Sequence, residues 1–515
     1  MSLPAERDNL TAKQLDYALF LPALSSFYST YIGRQRHEPY IEAARMPTGI
    51  PDMEQLNWLN DQKGLFHYKW SLYSAGHANL DVNKVDYKED MVRNRDPNTF
   101  LLGDSGGFQI GKGVWEGDWK NPNCPKAQKK RELVLTWMDA YMDYGMCLDI
   151  PAWVCRSPEG RKASGITSYM EAVEGTYINN DYFMKNRTGA CKFLNVLQGE
   201  NHAEADDWYQ RMKKYCDPKQ YERPFNGWAM GGQNMCDIHL VLRRLVELRF
   251  DGLLQEGLHD WMHFLGTSKL EWACLLTDIQ RAVRKYVNPN FTISFDCASP
   301  FLATANGQIY IDVETNDRSK WLYRMQSTAD NKAFAQDNRT FRDAVLQENI
   351  HQSFLDSPIS SHLKIKDICK YAPGDLNKLG KEGKTSWDSF SYALMMGHNV
   401  WMHINAVQEA NRQYDQGLVP KMLIQETFDR VAFKDVIEAI FATDNKEIAL
   451  AIVEEFNKFW MSIIGTRGAT GKKTINSSTM FNNLFEDENA VTGSHIDDSG
   501  LDEDNLDSLE ASVAD

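Results

Sequence analysis

Asp104, Asp149 and Asp296 each stand just past a short apolar run: Phe100-Leu101-Leu102 before Gly103-Asp104, Met146-Cys147-Leu148 before Asp149, and Phe291 to Phe295 before Asp296. Carboxylates are the side chains for moving protons and for attacking electrophilic carbon. Two with divided roles suit chemistry at an anomeric carbon, one adding to an oxocarbenium-like centre while the other handles a proton. A third can accept hydrogen bonds from the donor edge of a base. A lone aspartate in such a place is as readily a loop cap; three at the ends of separate runs are a constellation. Other runs end in Gln198-Gly199, Gly231-Gly232 and Gly266-Thr267, and glycine backbone lets a flat ligand approach closely.

To act together these residues must come from strands that converge. Six apolar runs, about thirty to fifty residues apart with helix-length amphipathic stretches between, read as repeated βα units. Leu15 to Leu24 and Leu65 to Leu72 supply earlier strands. The economical fold is an α/β TIM-type (β/α)8 barrel, whose chemistry sits at the C-terminal strand ends; a doubly wound open sheet is the alternative. Glu132 to Asp143 and Cys236 to Phe250 read as helices. After about Tyr310 the pattern turns mostly helical, with long stretches at Ser386 to Met396 and Phe428 to Phe459. The expected division is a catalytic barrel over residues 1–345, a helical C-terminal region over 346–460, and a basic linker with a disordered acidic tail over 461–515.

The net charge of −15 speaks against a polyanionic partner until it is located. Eleven acids and no Lys or Arg lie from Phe481 onward, so removing that tail's −11 leaves the body at about −4. The tail reads as solubilising. A basic face is then available from Lys126, Lys129, Lys130 and Arg131, from Arg243 and Arg244, from Arg281, Arg284 and Lys285, or from the lysines of Lys364 to Lys384, although each cluster alone reads as a solvated helix face. Nine cysteines, none in a C-x-x-C pair, imply free thiols and a reducing compartment. Apolar runs are too short to span a membrane and the first residues form no signal pattern, so a cytoplasmic location is expected, the host's if the chain is viral. Gly465 to Thr474 fails the spacing of a phosphate loop and reads as a basic linker.

Gly103-Asp104-Ser105-Gly106-Gly107-Phe108-Gln109 resembles the D-S-G-G-F/Y-Q signature of the tRNA-guanine transglycosylase (queuine tRNA-ribosyltransferase) family. Leu197-Gln198-Gly199 is similar to its V-Q-G, Met230-Gly231-Gly232 to its G-G strand end, and Phe264-Leu265-Gly266 to its L-M-G. Phe295-Asp296-Cys297-Ala298-Ser299-Pro300 with Asn306-Gly307 resembles F-D-C-x-x-P and a later N-G. The matches keep family order over about residues 100 to 310. The resemblance implies a TIM barrel that exchanges guanine in a nucleic acid for a 7-deazaguanine, with no cofactor. It makes Asp296 the nucleophile at C1′ and Asp104 the general acid/base. Asp149, Gln198 and Gly232 would bind the base's edge, Phe108 and Leu265 would sandwich its ring, and Ser105, Gly106, Gly231 and Gly266 would complete the pocket.

Two departures bear on the substrate. Where the tRNA enzymes carry C-x-C-x-x-C and a later histidine, this chain keeps only Cys369, with His398-Asn399 resembling the H-N; no zinc is expected, and His398 reads as a packed residue. Where those enzymes have T-R-x-x-R-N-G, Leu302 and Ala305 replace the arginines that read flanking bases. Such a pattern resembles the DNA-guanine transglycosylases of phages and some bacteria, which insert bases such as preQ0 into DNA. The expected partners are DNA, with tRNA as alternative, and a 7-deazaguanine; a homodimer is compatible, and no membrane is expected. A DNA groove would need inserted aromatics, for which Trp115, Trp119 and Trp153 are candidates, each also a natural packing residue. The competing readings are a non-catalytic binding subunit and a glycoside hydrolase using the same carboxylates.

Overall fold

The computed structural model describes residues 8–35, 43–83, 90–305, 307–327, 332–343, 354–370, 387–425 and 430–463. Asn306 and the linker and tail from residue 464 onward lie outside the described residues.

Eight strands form one parallel sheet: β1 Leu19–Pro22, β2 Trp70–Ser74, β3 Phe100–Asp104, β4 Tyr144–Met146, β5 Lys192–Leu197, β6 Gly227–Met230, β7 Trp261–Phe264 and β8 Thr292–Cys297. Neighbours in sequence are neighbours in the sheet, and β8 returns to pair with β1, Asp296 opposite Leu21. A parallel bridge between Ala23 and Leu72, with Leu24 N–H donating to the Leu72 carbonyl at 2.9 Å, nearly closes the ring into a barrel. The open-sheet alternative is thereby excluded.

The two-residue period of a strand sorts the interior into tiers. Trp70, Phe100, Tyr144 and Trp261 make an aromatic floor, Phe100 stacked on Trp261 with centroids 4.3 Å apart. Leu72, Leu102, Met146, Val196 and Ala229 fill the middle. Two residues further along the same strands come Ser74, Asp104, Gln198, Gly231 and Asp296. Polar groups thus gather where the barrel opens at its C-terminal end, with His263 and Ser294 the buried polar pair one tier below, beside Trp261.

Helices cover the outside: α1 Ser26–Gln35, α2 Gly107–Gly111, α3 Pro125–Tyr141, α4 Pro158–Ser164, α5 Tyr169–Asn186, α6 His202–Met212, α7 Ile238–Phe250, α8 Leu270–Tyr286 and α9 Ser299–Ala305. Their starts follow the chemistry of caps: the Ser168, Asn201 and Asp237 side chains accept amide protons in the first turns of α5, α6 and α7. A further helix, α10 Ser389–Asp415, packs along α8 and α9. No helix of the described residues is long and apolar enough to cross a membrane.

Several sequence expectations need correction. Residues after Tyr310 are not simply helical: β9 Gln308–Glu314 and β10 Leu322–Ser327 form an antiparallel hairpin between barrel and α10, its inward residues Ile309, Ile311 and Tyr323 buried. The long stretch expected at 428–459 is three helices, α11 Phe433–Ala442, α12 Lys446–Glu455 and α13 Asn457–Ile463, because Asn445 caps a new start. The Met146-Cys147-Leu148 run ends its strand at Met146, so Asp149 lies three residues beyond rather than at the strand edge. Trp115 and Trp119 are buried, which removes both as aromatics for a groove; Trp153 is half-buried.

Three of the four basic clusters are largely committed as well, while residues 371–384 of the fourth lie outside the described residues. Arg131 is buried against Asn179, Arg243 and Arg244 share Asp206, Arg281 bridges Asp16 and Asp415, and Lys285 pairs with Glu438. All nine cysteines are free thiols, eight of them buried.

Candidate active site

Asp104 ends β3 in register with Ser74 at the end of β2, and Ser74 Oγ donates to Asp104 Oδ2 at 2.7 Å. Burial raises the Asp104 carboxyl above its ordinary range, and the negative charge of Asp296 adds to this against the opposing pull of Ser74 and His77. Asp149 is likewise raised, to about 7, by burial first and by the charge of Asp104, although Gln198 Nε2 donates to its Oδ2 at 2.7 Å. Asp104 thus feels the charge of Asp296 and Asp149 that of Asp104, and all three stand at the C-terminal end of the barrel.

The glycines set the spacing of this mouth. Gly106 has φ +80° and starts α2, and a methyl there would come within 2.4 Å of the Trp115 ring that underlies it. Gly107 lies against Asp149, a methyl on it falling 3.1 Å from Oδ1. Gly231 and Gly232 flank Gln198; Gly232 has φ +55°, and a methyl on it would fall 2.4 Å from the Gly199 carbonyl. Gly106→Ala is expected to destabilise the protein by about 1–3 kcal/mol, through the left-handed backbone and the clash with Trp115. Urea unfolding at constant m-value would measure it.

Asp296 is held on one side only. His263 Nε2 lies 3.0 Å and the Gly266 amide 2.9 Å from Oδ1, while the Thr267 amide donates to the Asp296 carbonyl at 2.6 Å. Both side-chain bonds fall on Oδ1, so Oδ2 is the uncommitted oxygen among the described residues. His263 is fully buried and its tautomer follows from its neighbours. The Asp296 carboxylate beside Nε2 can only accept, so Ser294 Oγ, which accepts the Trp261 indole N–H at 2.8 Å, gives its own proton to His263 Nδ1, also at 2.8 Å. Nε2 then carries the proton that Asp296 accepts.

Of the residues singled out from the sequence, Asp104, Asp149, Gln198, Gly231, Gly232, Gly266 and Asp296 fall into this connected set. Ser105 is buried beneath the turn. Phe108 and Leu265 are half-buried, the first beside Trp153 with centroids 5.7 Å apart, the second against the apolar tier of the barrel. Ser74 and His263 were missed. Both were within reach of strand parity: His263 stands two residues before Leu265, and Ser74 two past Leu72.

His398 is buried, its Nδ1 2.8 Å from Ser357 Oγ and its Nε2 2.7 Å from the Tyr310 carbonyl, its ring parallel to Phe354. Both nitrogens are occupied by the hairpin and its neighbours. Leu302 on α9 is buried, an apolar anchor.

No family model matches the chain, and no curated protein matches it. The fold is a TIM-like barrel of the kind that carries many enzymes.

Proposed function

We propose that this protein is a base-exchange transglycosylase of the tRNA-guanine transglycosylase kind, acting on DNA and replacing guanine with a 7-deazaguanine such as preQ0. The observation that carries the reading is the pair Asp104 and Asp296 at the C-terminal ends of β3 and β8, Asp296 clamped through Oδ1 alone and Asp104 buried beside Ser74. Asp296 Oδ2 attacks C1′ of the flipped nucleotide; the bond from C1′ to N9 breaks, and the electron pair on the departing base takes the proton held by Asp104. The guanine leaves, a 7-deazaguanine enters, and Asp104 takes the proton from its N9. That nitrogen then attacks C1′, the ester bond breaks, and the Asp296 carboxylate is restored. Two inversions keep the sugar's configuration.

The one-sided clamp on Oδ1 supports the nucleophile's role, because His263 and Gly266 orient the group without blocking the other oxygen. Asp149 with Gln198 offers acceptors and a carbonyl partner for a purine edge. DNA is favoured over tRNA because Leu302 and Ala305 stand where base-reading arginines would. The test is incubation of DNA and of tRNA with labelled guanine or preQ0, followed by mass analysis of the nucleosides. Label in DNA is expected; label in tRNA alone overturns the substrate, and label in neither favours a binding subunit.

A further inference from the structure

Outside that mouth, two histidines and a carboxylate meet at the starts of two helices. His202 opens α6, Asp237 caps α7 and His239 follows two residues later; one ligand atom from each lies within 4.8 Å of the others. His202 Nε2 is 2.6 Å from Asp237 Oδ2, and the two imidazole rings stack at 5.4 Å. His239 Nε2 is 2.8 Å from Glu454 Oε1 near the end of α12. Asp237 is only 3% exposed, and its hydrogen-bond partners are His202, Gln233 and the Leu240 amide, none of them a lysine or arginine. A buried carboxylate without a fixed cation beside it, facing two imidazoles, is suited to a metal ion.

We propose that His202, Asp237 and His239 bind one divalent transition-metal ion, Zn2+ being the best match to this donor set. Tetrahedral Zn2+ with bonds of about 2.0–2.1 Å spaces its ligands roughly 3.3 Å apart. The ion takes the place of the hydrogen bond between His202 and Asp237, the Nε2 proton passing through solvent to Nδ1, parts the two slightly, and draws His239 in. Glu454 orients His239 through its Nε2, as carboxylates do for ligating imidazoles. Asp237 Oδ1 stays on the helix cap, leaving Oδ2 for the ion. The ligand set is unrelated to Cys369 and His398. It also reaches the mouth mechanically: Gln233 donates its side-chain amide to Asp237 at 3.1 Å and its backbone N–H to the Gly199 carbonyl at 2.7 Å, next to Gln198.

The full chain, dialysed against a chelator, would be titrated with zinc sulfate by calorimetry and with cobalt chloride by visible absorption. One ion per chain, a tetrahedral cobalt band and a Tm raised by a few degrees are expected. His202→Ala with His239→Ala should abolish uptake with the far-UV spectrum unchanged, while Cys369→Ser should retain it. Absence of stoichiometric uptake, or equal uptake by the double variant, overturns the site. Because no exchange assay enters, this result stands or falls apart from the proposed activity.

Discussion

Asp296→Ala should reduce base exchange by at least about a thousand-fold, the scale of losing a group on which the whole chemical step depends. Labelled-guanine exchange into DNA, run with the variant at saturating substrate, measures it. The substitution also removes the acceptor for His263 and for the Gly266 amide, so Tm must be followed alongside. A folded variant with undiminished exchange would remove the proposed nucleophile. Denatured gels add an independent readout: the wild-type chain caught during exchange carries DNA covalently, and the variant carries none.

The second large effect concerns Asp149, whose carboxyl is pushed up to about 7 by burial. In the unfolded chain this group ionises near pH 4, so between about pH 4 and 7 the folded state holds a proton that the unfolded state has lost. Stability contributed here therefore falls as pH rises across that window and is level above it. Asp149→Asn should abolish this slope and leave the protein roughly 1–3 kcal/mol more stable at pH 8, Gln198 turning its amide to meet the new side chain. The same variant should lose the base. In the wild type, affinity for a free 7-deazaguanine should rise about tenfold per pH unit up to about 7 and level off, as the acceptor for the ring's N–H groups becomes available. Thermal melts from pH 4 to 8 and base-binding titrations over the same range measure both limbs. A variant that is less stable at pH 8 and binds the base normally would show that Asp149 is a structural cap.

Much of the architecture was legible because a parallel barrel repeats a simple pattern. Phe100-Leu101-Leu102, Phe193 to Leu197 and Trp228-Ala229-Met230 are runs whose both faces are buried, and each falls on a strand. Polar residues and glycines just past them marked the mouth for the same reason. The β9–β10 hairpin was missed because Ile309, Tyr310 and Ile311 are buried on both faces of β9, which hides its alternation, although β10 alternates buried Tyr323 and Met325 with half-buried Arg324 and Gln326. The clusters of positive charge misled for a different cause: Arg131 and Arg244 are drawn inside by partners distant in sequence, Asn179 and Asp206, which periodicity does not report. His263 escaped because a histidine inside an apolar run reads as filler until Ser294 and Trp261 are seen to fix its tautomer.

The stacked rings at the base of the barrel have a kinetic corollary. With Phe100 against Trp261 the lower end admits no passage for a purine, so anything that enters the mouth must depart by the same door. Under the proposed exchange, an outgoing base and its replacement occupy the cavity in turn. Combined with the proposed ester intermediate, this predicts a ping-pong order, with each base a competitive inhibitor of the other.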